Sequence, residues 1–274
     1  MTIDVHAHVT VDPTSQLQRA SRAGVDQTVL LSTRVHPEAA DSPEQVRAEY
    51  SRLTTVIGGG ATSTKAFEAG MNELRLALDA HPGTTVGFVN VALDQTANSI
   101  KAWIARYLAE ARIVGIGELT PTPGAAARIE PVLQASADHG GVPVLTHGFA
   151  PNTAQDLATY ADLAARYPSV PLIVGAFGGL NCLQLIDLAH KRRNLYVDLS
   201  SALQVFAVRA AAHEIPEQCL FGSNTPYGDV VAARHTVEAA ISDPAVLQQI
   251  LHNNTAALIQ SQKGGPLALQ PTGC

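Results

Sequence analysis

Two histidines near the start of the chain have the spacing of a metal-binding pair. His6 and His8 lie in the segment Ile3–Val9, whose apolar and β-branched residues are typical of a buried strand. Side chains two positions apart on a strand point to the same face, so both imidazoles would reach one ion. A buried imidazole is unfavourable unless its polar nitrogens have partners. We therefore interpret the pair as metal-binding or active-site residues rather than as core histidines.

The rest of the chain alternates short apolar runs with helical stretches. Strands are predicted at Ile3–Val9, Val25–Ser32, Thr85–Ala92, Ile113–Leu119, Val142–Thr146, Val170–Ala176, Leu195–Leu199 and Gln218–Ser223. Continuous apolar runs are typical of parallel strands that are buried on both faces. Eight strand–helix units in 274 residues predict an α/β protein with a single (β/α)8 TIM-type barrel. We assign residues 1–260 to this barrel and 261–274, which are rich in Gly and Pro, to a C-terminal tail.

Composition limits the classes of partner. The net charge is −6, and no run of Lys and Arg forms a basic patch, which argues against nucleic-acid binding. We find no secretory signal, and no apolar run reaches the roughly 18 residues of a membrane span. The three cysteines form no CxxC pair and imply no disulfide framework. We expect a cytoplasmic protein with a small-molecule substrate and no membrane partner, and homo-oligomer formation stays open.

Candidate catalytic residues follow from the strand ends, because the chemistry of such barrels lies at the C-terminal ends of the strands. Glu118 ends the fourth strand, His147 follows the fifth and Asn224 follows the eighth. A buried, unpaired carboxylate is costly, so we favour a ligand or general-base role for Glu118 over a salt bridge. His147 is interpreted as a ligand or an acid–base group. Asn224 is equally compatible with a ligand and with a simple turn residue.

Three further residues at strand ends have less specific signals. Arg34 and His36 lie just beyond the second strand, where they would face the mouth of the pocket and Arg34 would hold a substrate carboxylate. A solvated loop explains both residues equally well. Asp198, at the end of the seventh strand, is interpreted as a structural acceptor for backbone N–H groups.

The sequence resembles the amidohydrolase superfamily over nearly its whole length. The nearest branch is amidohydrolase-2, which includes aminocarboxymuconate-semialdehyde-decarboxylase-like enzymes. The resemblance rests on the His-x-His strand, on Pro-Val-Leu-Thr-His at 143–147, on Phe-Gly-Ser-Asn-Thr-Pro at 221–226 and on His-Asn-Asn-Thr-Ala at 252–256. Members usually bind zinc or another divalent metal through the first-strand histidines, a fifth-strand histidine and an eighth-strand aspartate. Some use a fourth-strand Glu or Lys to bridge a second metal, and Glu118 resembles that position. The resemblance implies metal ligands among His6, His8, His147 and Glu118.

Two positions depart from this pattern. Ala176 stands where the sixth strand of the family usually ends in histidine, and Asn224 replaces the eighth-strand aspartate. An amide oxygen can coordinate weakly, but at neutral pH it cannot accept a proton from an attacking water. The usual hydrolytic base is therefore missing. Without a sixth-strand histidine, a second metal ion would have only Glu118 and His147 as ligands, so we expect one metal ion or none per chain.

Three functions are compatible with these residues. The leading hypothesis is a hydrolase with one divalent ion, expected to be zinc, that acts on a small carbonyl compound such as a lactone, an amide or a carboxylic acid. Glu118 or His147 would then take the proton that Asn224 cannot. The second hypothesis is a non-hydrolytic lyase, decarboxylase or cyclase on the same barrel. The third is a barrel that has lost its metal and works as a binding protein or a metal-independent catalyst.

Overall fold

The computed structural model describes residues 1–57 and 64–260. Within them, eight parallel strands form one sheet in chain order, which confirms the predicted barrel. The strands are β1 (Ile3–His8), β2 (Gln27–Leu31), β3 (Thr85–Val89), β4 (Ile113–Leu119), β5 (Val144–Thr146), β6 (Leu172–Val174), β7 (Leu195–Asp198) and β8 (Cys219–Leu220). A backbone hydrogen bond from Val5 N–H to the Phe221 carbonyl (2.9 Å) and a bridge between Ala7 and Thr225 connect β1 to the segment after β8. The predicted tail, 261–274, lies outside the described residues.

Helices follow every strand, and most of them pack around the outside of the barrel. They are α1 (Pro13–Arg22), α2 (Pro43–Ile57), α3 (Thr64–Ala80), α4 (Ala97–Leu108), α5 (Glu130–Asp138), α6 (Ala154–Arg166), α7 (Cys182–His190), α8 (Val205–Glu214), α9 (Val230–Ala240), α10 (Pro244–Gln248) and α11 (Asn254–Gln260). A capping box of Thr153 and Asp156 begins α6. The chain between β7 and α8 turns through Ser201, whose φ is +53°, and α8 begins at Val205 after an extended Gln204 (φ −141°, ψ 115°).

The barrel interior is filled by one apolar cluster with buried members from seven strands, and the partly buried Tyr196 of β7 packs against it. Its largest members include Leu31, Phe88, Leu145 and Ile173, each completely buried. Alternate strand residues point outward and pack against the helices in a second, larger cluster. This division is what two buried faces of a parallel sheet require.

An irregularity in β1 turns both predicted ligands toward the interior. Val5 belongs to the interior cluster and Ala7 to the outer one, and the pairing with β2 shifts between Asp4 and Ala7. The buried Asp4 carboxylate accepts the N–H groups of His6 (3.1 Å) and Ser223 (2.9 Å), which fixes the backbone there. The shift adds one residue to β1, as a β-bulge does, so that His6 points inward together with His8.

Gly222, just after β8, packs directly against the centre that these histidines form. A Cβ atom at this position would lie 2.1 Å from Asp198 Oδ1 and 3.1 Å from His6 Cβ. We expect Gly222→Ala to lower the free energy of unfolding by about 1–3 kcal/mol, because the strand ends cannot separate without loss of contacts. Chemical denaturation measures this. Gly83→Ala is the matched control, since nothing lies within 4 Å of its Cβ position; equal stability losses in both variants would contradict the expectation.

Candidate metal centre

The imidazoles of the two β1 histidines converge inside the barrel. Their Nε2 atoms lie 3.2 Å apart, and His6 and His8 are 0% and 6% exposed. Two nitrogens bound to one zinc ion at tetrahedral angles lie about 3.3–3.4 Å apart. The observed separation therefore fits two ligands of one ion.

Glu118 adds a carboxylate to this pair. Its Oε2 lies 3.6 Å from His8 Nε2 and 3.9 Å from His6 Nε2, and its side chain is 9% exposed. The side chain reaches this point at a register shift near the end of β4, where Gly117 has a φ of +142° and a Cβ would lie 2.5 Å from the Leu145 carbonyl oxygen. Only glycine combines that conformation with so close an approach of two backbones.

The donor set fits a divalent transition metal. One ligand atom each from His6, His8 and Glu118 lies within 4.8 Å of the other two. Two nitrogens and one carboxylate oxygen are the three protein ligands typical of a catalytic zinc site, which leaves a position for substrate or water. Imidazole and carboxylate also serve other divalent ions, so the chemistry of the donors does not select zinc alone.

The protonation states of His6, His8 and Glu118 depend on one another. Burial lowers the pKa of His8 to about 4, so that its ring is neutral. Burial also opposes protonation of His6, but Asp198 and then Glu118 outweigh it and raise the pKa of His6 to about 9. For Glu118, burial raises the pKa, yet the neighbouring imidazoles, His147 first, lower it to about 2. Glu118 is therefore an ionised carboxylate at neutral pH.

His147 contacts the carboxylate rather than the two β1 imidazoles. Its Nδ1 lies 3.0 Å from Glu118 Oε1, and its Nε2 lies 3.4 Å from the Ala150 carbonyl oxygen. The ring follows β5 and is 15% exposed at the cavity. This arrangement places His147 outside the group of three close ligands and beside the acid, where a proton can pass between them.

Asn224 and Ala176 occupy the two positions that depart from the family pattern. Asn224 has a φ of +53°, which asparagine tolerates, and its side-chain amide donates to Ser201 Oγ at 3.0 Å. Its backbone N–H donates to the His6 carbonyl at 2.7 Å, so it also ties β8 to β1. Ala176 follows β6 with a φ of +49°, and its N–H donates to Asp198 Oδ2 at 3.0 Å.

A cavity of about 590 Å³ opens above the centre at the C-terminal ends of the strands. Its polar lining includes His8, Glu118, His147, Asn224, Arg34 and Tyr227, and its apolar lining includes Tyr50, Leu53, Ile57, Phe67, Phe149 and Leu203. Glu118 is the only acidic side chain among the described residues that line it. Several of the apolar residues come from α2, a helix without a single buried residue, so α2 covers the mouth of the barrel rather than joining its core.

The two residues predicted beyond β2 differ in position. Arg34 lines the cavity, and its guanidinium stacks over the Phe67 ring at 4.7 Å. His36 is not among the lining residues of the cavity; its Nδ1 lies 3.1 Å from Glu38 and its Nε2 3.4 Å from Glu73. These two carboxylates engage both ring nitrogens of His36, whereas Arg34 lies in the cavity wall.

Sequence reasoning missed one interaction of the centre. Asp198 accepts backbone N–H groups, as expected, but its Oδ2 also lies 2.7 Å from Nδ1 of His6. The available signal was its position at a strand end, on the same barrel mouth as the histidines.

Eight parallel strands that bring two histidines and a carboxylate together at their C-terminal ends define a (β/α)8 barrel with a candidate metal centre. The amidohydrolase family (Amidohydro_2) matches residues 3–260. The chain belongs to this family. In the described residues, no helix is long and apolar enough to cross a membrane. No curated protein matched the chain.

Solved structures with the same fold come from several bacteria. A 2,6-dihydroxybenzoate decarboxylase from Rhizobium has a TM-score of 0.62 at 12% identity, over 95% of this chain and 98% of that one. A dihydroxybenzoic acid decarboxylase from Polaromonas sp. JS666 carries bound manganese and the inhibitor 2-nitroresorcinol. It has a TM-score of 0.64 at 13% identity, over 94% of this chain and 96% of that one. A putative 2-pyrone-4,6-dicarboxylic acid hydrolase from Pseudomonas putida has a TM-score of 0.57 at 19% identity, over 94% of this chain and 97% of that one.

Proposed function

We propose that the protein is a metal-dependent lyase that decarboxylates a small carboxylic acid in this cavity. The observation that carries the proposal is the position of Glu118. Its Oε1 lies 3.0 Å from His147 Nδ1, and its Oε2 lies 3.6 Å from His8 Nε2 and 3.9 Å from His6 Nε2. Because both carboxylate oxygens already face imidazoles, Glu118 is a poor acceptor for a proton from water. Asn224 cannot replace it.

The lining of the cavity supports an anionic, largely apolar substrate. Its walls carry the rings of Phe67, Phe149 and Tyr227, and Arg34 lies among them. A guanidinium binds a carboxylate through two parallel hydrogen bonds. Glu118, the single acid among the described lining residues, faces imidazoles and a candidate metal position, so it does not repel an anion as a free carboxylate would. Two of the structural neighbours described above are decarboxylases of hydroxybenzoates, which is consistent with such a substrate.

Each residue has a defined task in this reaction. His6, His8 and Glu118 would hold the ion, which when bound supplies Lewis-acid polarisation of a substrate oxygen. Arg34 orients the substrate. The bond between the carboxyl group and its carbon breaks, carbon dioxide leaves, and the electron pair stays on the carbon. His147 then donates a proton to that carbon from Nε2, while Glu118 accepts from Nδ1 and stabilises the protonated ring.

Hydrolysis of a lactone or amide at the same centre is the second candidate. The contact between His147 and Glu118 favours it, because a histidine oriented by a carboxylate is also a suitable acceptor for a proton from water. The hydrolase therefore stays a prediction beside the lyase.

Product analysis separates the two reactions. The full chain is loaded with zinc or with manganese and incubated with 2,6-dihydroxybenzoate and, separately, with the lactone 2-pyrone-4,6-dicarboxylate. The lyase proposal predicts carbon dioxide from the benzoate class and no ring opening of the lactone. Ring opening without carbon dioxide release would contradict it and support the hydrolase.

Asn224→Asp is expected to raise zinc affinity by about tenfold, equivalent to ~1.4 kcal/mol, because it adds an anionic oxygen to the lining of the cavity. Isothermal titration of the metal-free protein with zinc measures the change. Asn253→Asp is the control, since it adds the same charge at an exposed position on the barrel surface. If the Asn224 variant also gains ring-opening activity that the parent lacks, the natural reaction is not hydrolysis. An unchanged zinc affinity would show that residue 224 does not contribute to metal binding.

A further inference from the structure

Asp198 is a completely buried carboxylate in contact with a candidate metal ligand. It ends β7 and is 0% exposed, and its Oδ2 lies 2.7 Å from Nδ1 of His6. A buried carboxylate needs hydrogen-bond donors on its oxygens. The identity of those donors decides whether Asp198 only stabilises the fold or also acts on the centre.

Three further donors hold the carboxylate in place. Oδ2 accepts the Ala176 N–H at 3.0 Å and the Ser200 hydroxyl at 2.6 Å, and Oδ1 accepts the Ser200 N–H at 2.9 Å. Gly222 packs so closely on the other side that a Cβ there would lie 2.1 Å from Oδ1. The carboxylate therefore has a fixed position between the ends of β6, β7 and β8.

This position determines the state of His6. A carboxylate whose oxygens already receive three N–H and O–H groups acts as an acceptor toward the ring as well, so the hydrogen between it and His6 is on Nδ1. When the ring binds an ion it is neutral, and its lone pair is then on Nε2, the nitrogen that faces His8 and Glu118. Carboxylates that receive the second N–H of a metal-bound histidine fix both its tautomer and its orientation.

We infer that Asp198 is a positioning residue that fixes the tautomer and orientation of His6 for metal binding. The inference rests on the proposed metal site, to which it adds a residue that does not itself touch the ion. It also predicts that an asparagine cannot replace the aspartate. If the amide oxygen takes the place of Oδ2, the amide NH2 takes the place of Oδ1 and faces the Ser200 N–H, so that two hydrogen-bond donors face each other. If the amide is reversed, its NH2 faces His6 and favours the tautomer with hydrogen on Nε2.

The test is the zinc affinity of folded Asp198→Asn, measured by competition with a chromophoric chelator beside the Tm of the metal-free protein. The expected loss is about 10–100-fold in affinity. Asp156→Asn is the matched control. Asp156 is also buried and accepts the Thr153 N–H (2.9 Å), the Thr153 hydroxyl (2.8 Å) and the Gly124 N–H (2.9 Å), but it caps α6 and is not among the candidate metal ligands. We expect the control to lower the Tm and keep the parent affinity.

A second measurement keeps the inference testable if Asp198→Asn does not fold. In the zinc-loaded parent protein, ¹⁵N NMR should show hydrogen on Nδ1 of His6 in slow exchange with water. Parent affinity in folded Asp198→Asn, or a His6 ring with hydrogen on Nε2, overturns the positioning role and leaves the metal site intact. A parent protein that binds neither zinc nor manganese overturns the site and the inference together.

Discussion

Glu118→Gln is expected to remove tight zinc binding and to lower turnover by at least about 100-fold. The substitution keeps the shape of the side chain but replaces its carboxylate, which faces the imidazoles of His6, His8 and His147, with a neutral amide. It removes a ligand from a set of three and also the partner that stabilises protonated His147. Metal content after gel filtration and turnover at saturating zinc measure the two effects separately.

Glu110→Gln is the control for this variant. The Glu110 carboxylate pairs with Arg75 at a partly buried position and does not line the cavity. We expect it to retain metal and turnover at the parent level. A Glu118→Gln protein with parent metal content and parent turnover would remove Glu118 from the centre.

His147→Asn is expected to lower turnover by about 10²–10⁴-fold while the zinc affinity changes far less. The reason is the separation seen in the structure: His147 contacts Glu118 at 3.0 Å but lies outside the group of three close ligands. Asparagine can still donate to the carboxylate, yet it cannot deliver a proton to carbon. Turnover and zinc titration on the same preparation distinguish the two properties.

His139→Asn is the matched substitution outside the cavity. His139 is also partly buried, and its Nδ1 contacts the Ala135 carbonyl oxygen at 2.8 Å after α5. The turnover of the His139→Asn variant should equal that of the parent. If His147→Asn instead loses zinc as completely as Glu118→Gln does, His147 is a ligand and the proposed proton donor must be sought elsewhere.

The parts of the centre that the sequence predicts are those with local patterns. The spacing of His6 and His8 depends only on the two-residue period of a strand, and Glu118 is recognisable at the end of an apolar run. The inward turn of His6 is different, because it depends on a register shift that Asp4 and a distant segment after β8 stabilise. Hydrophobic alternation alone gives no sign of it.

Interactions between distant segments could not be predicted. The contact between Asp198 and His6 joins residues 192 positions apart, so only the closed barrel reveals it. The position of His36 depends on Glu73 from α3, a partner that no spacing within the β2 loop indicates. Only the structure shows that α2 covers the cavity.

The most direct test of the metal centre is element analysis of the full chain purified without added metal, beside Glu118→Gln treated in the same way. We expect one divalent ion per parent chain, reloadable after chelation with zinc or manganese, and little metal in the variant. A parent protein that contains no divalent ion and takes up none at neutral pH would contradict it.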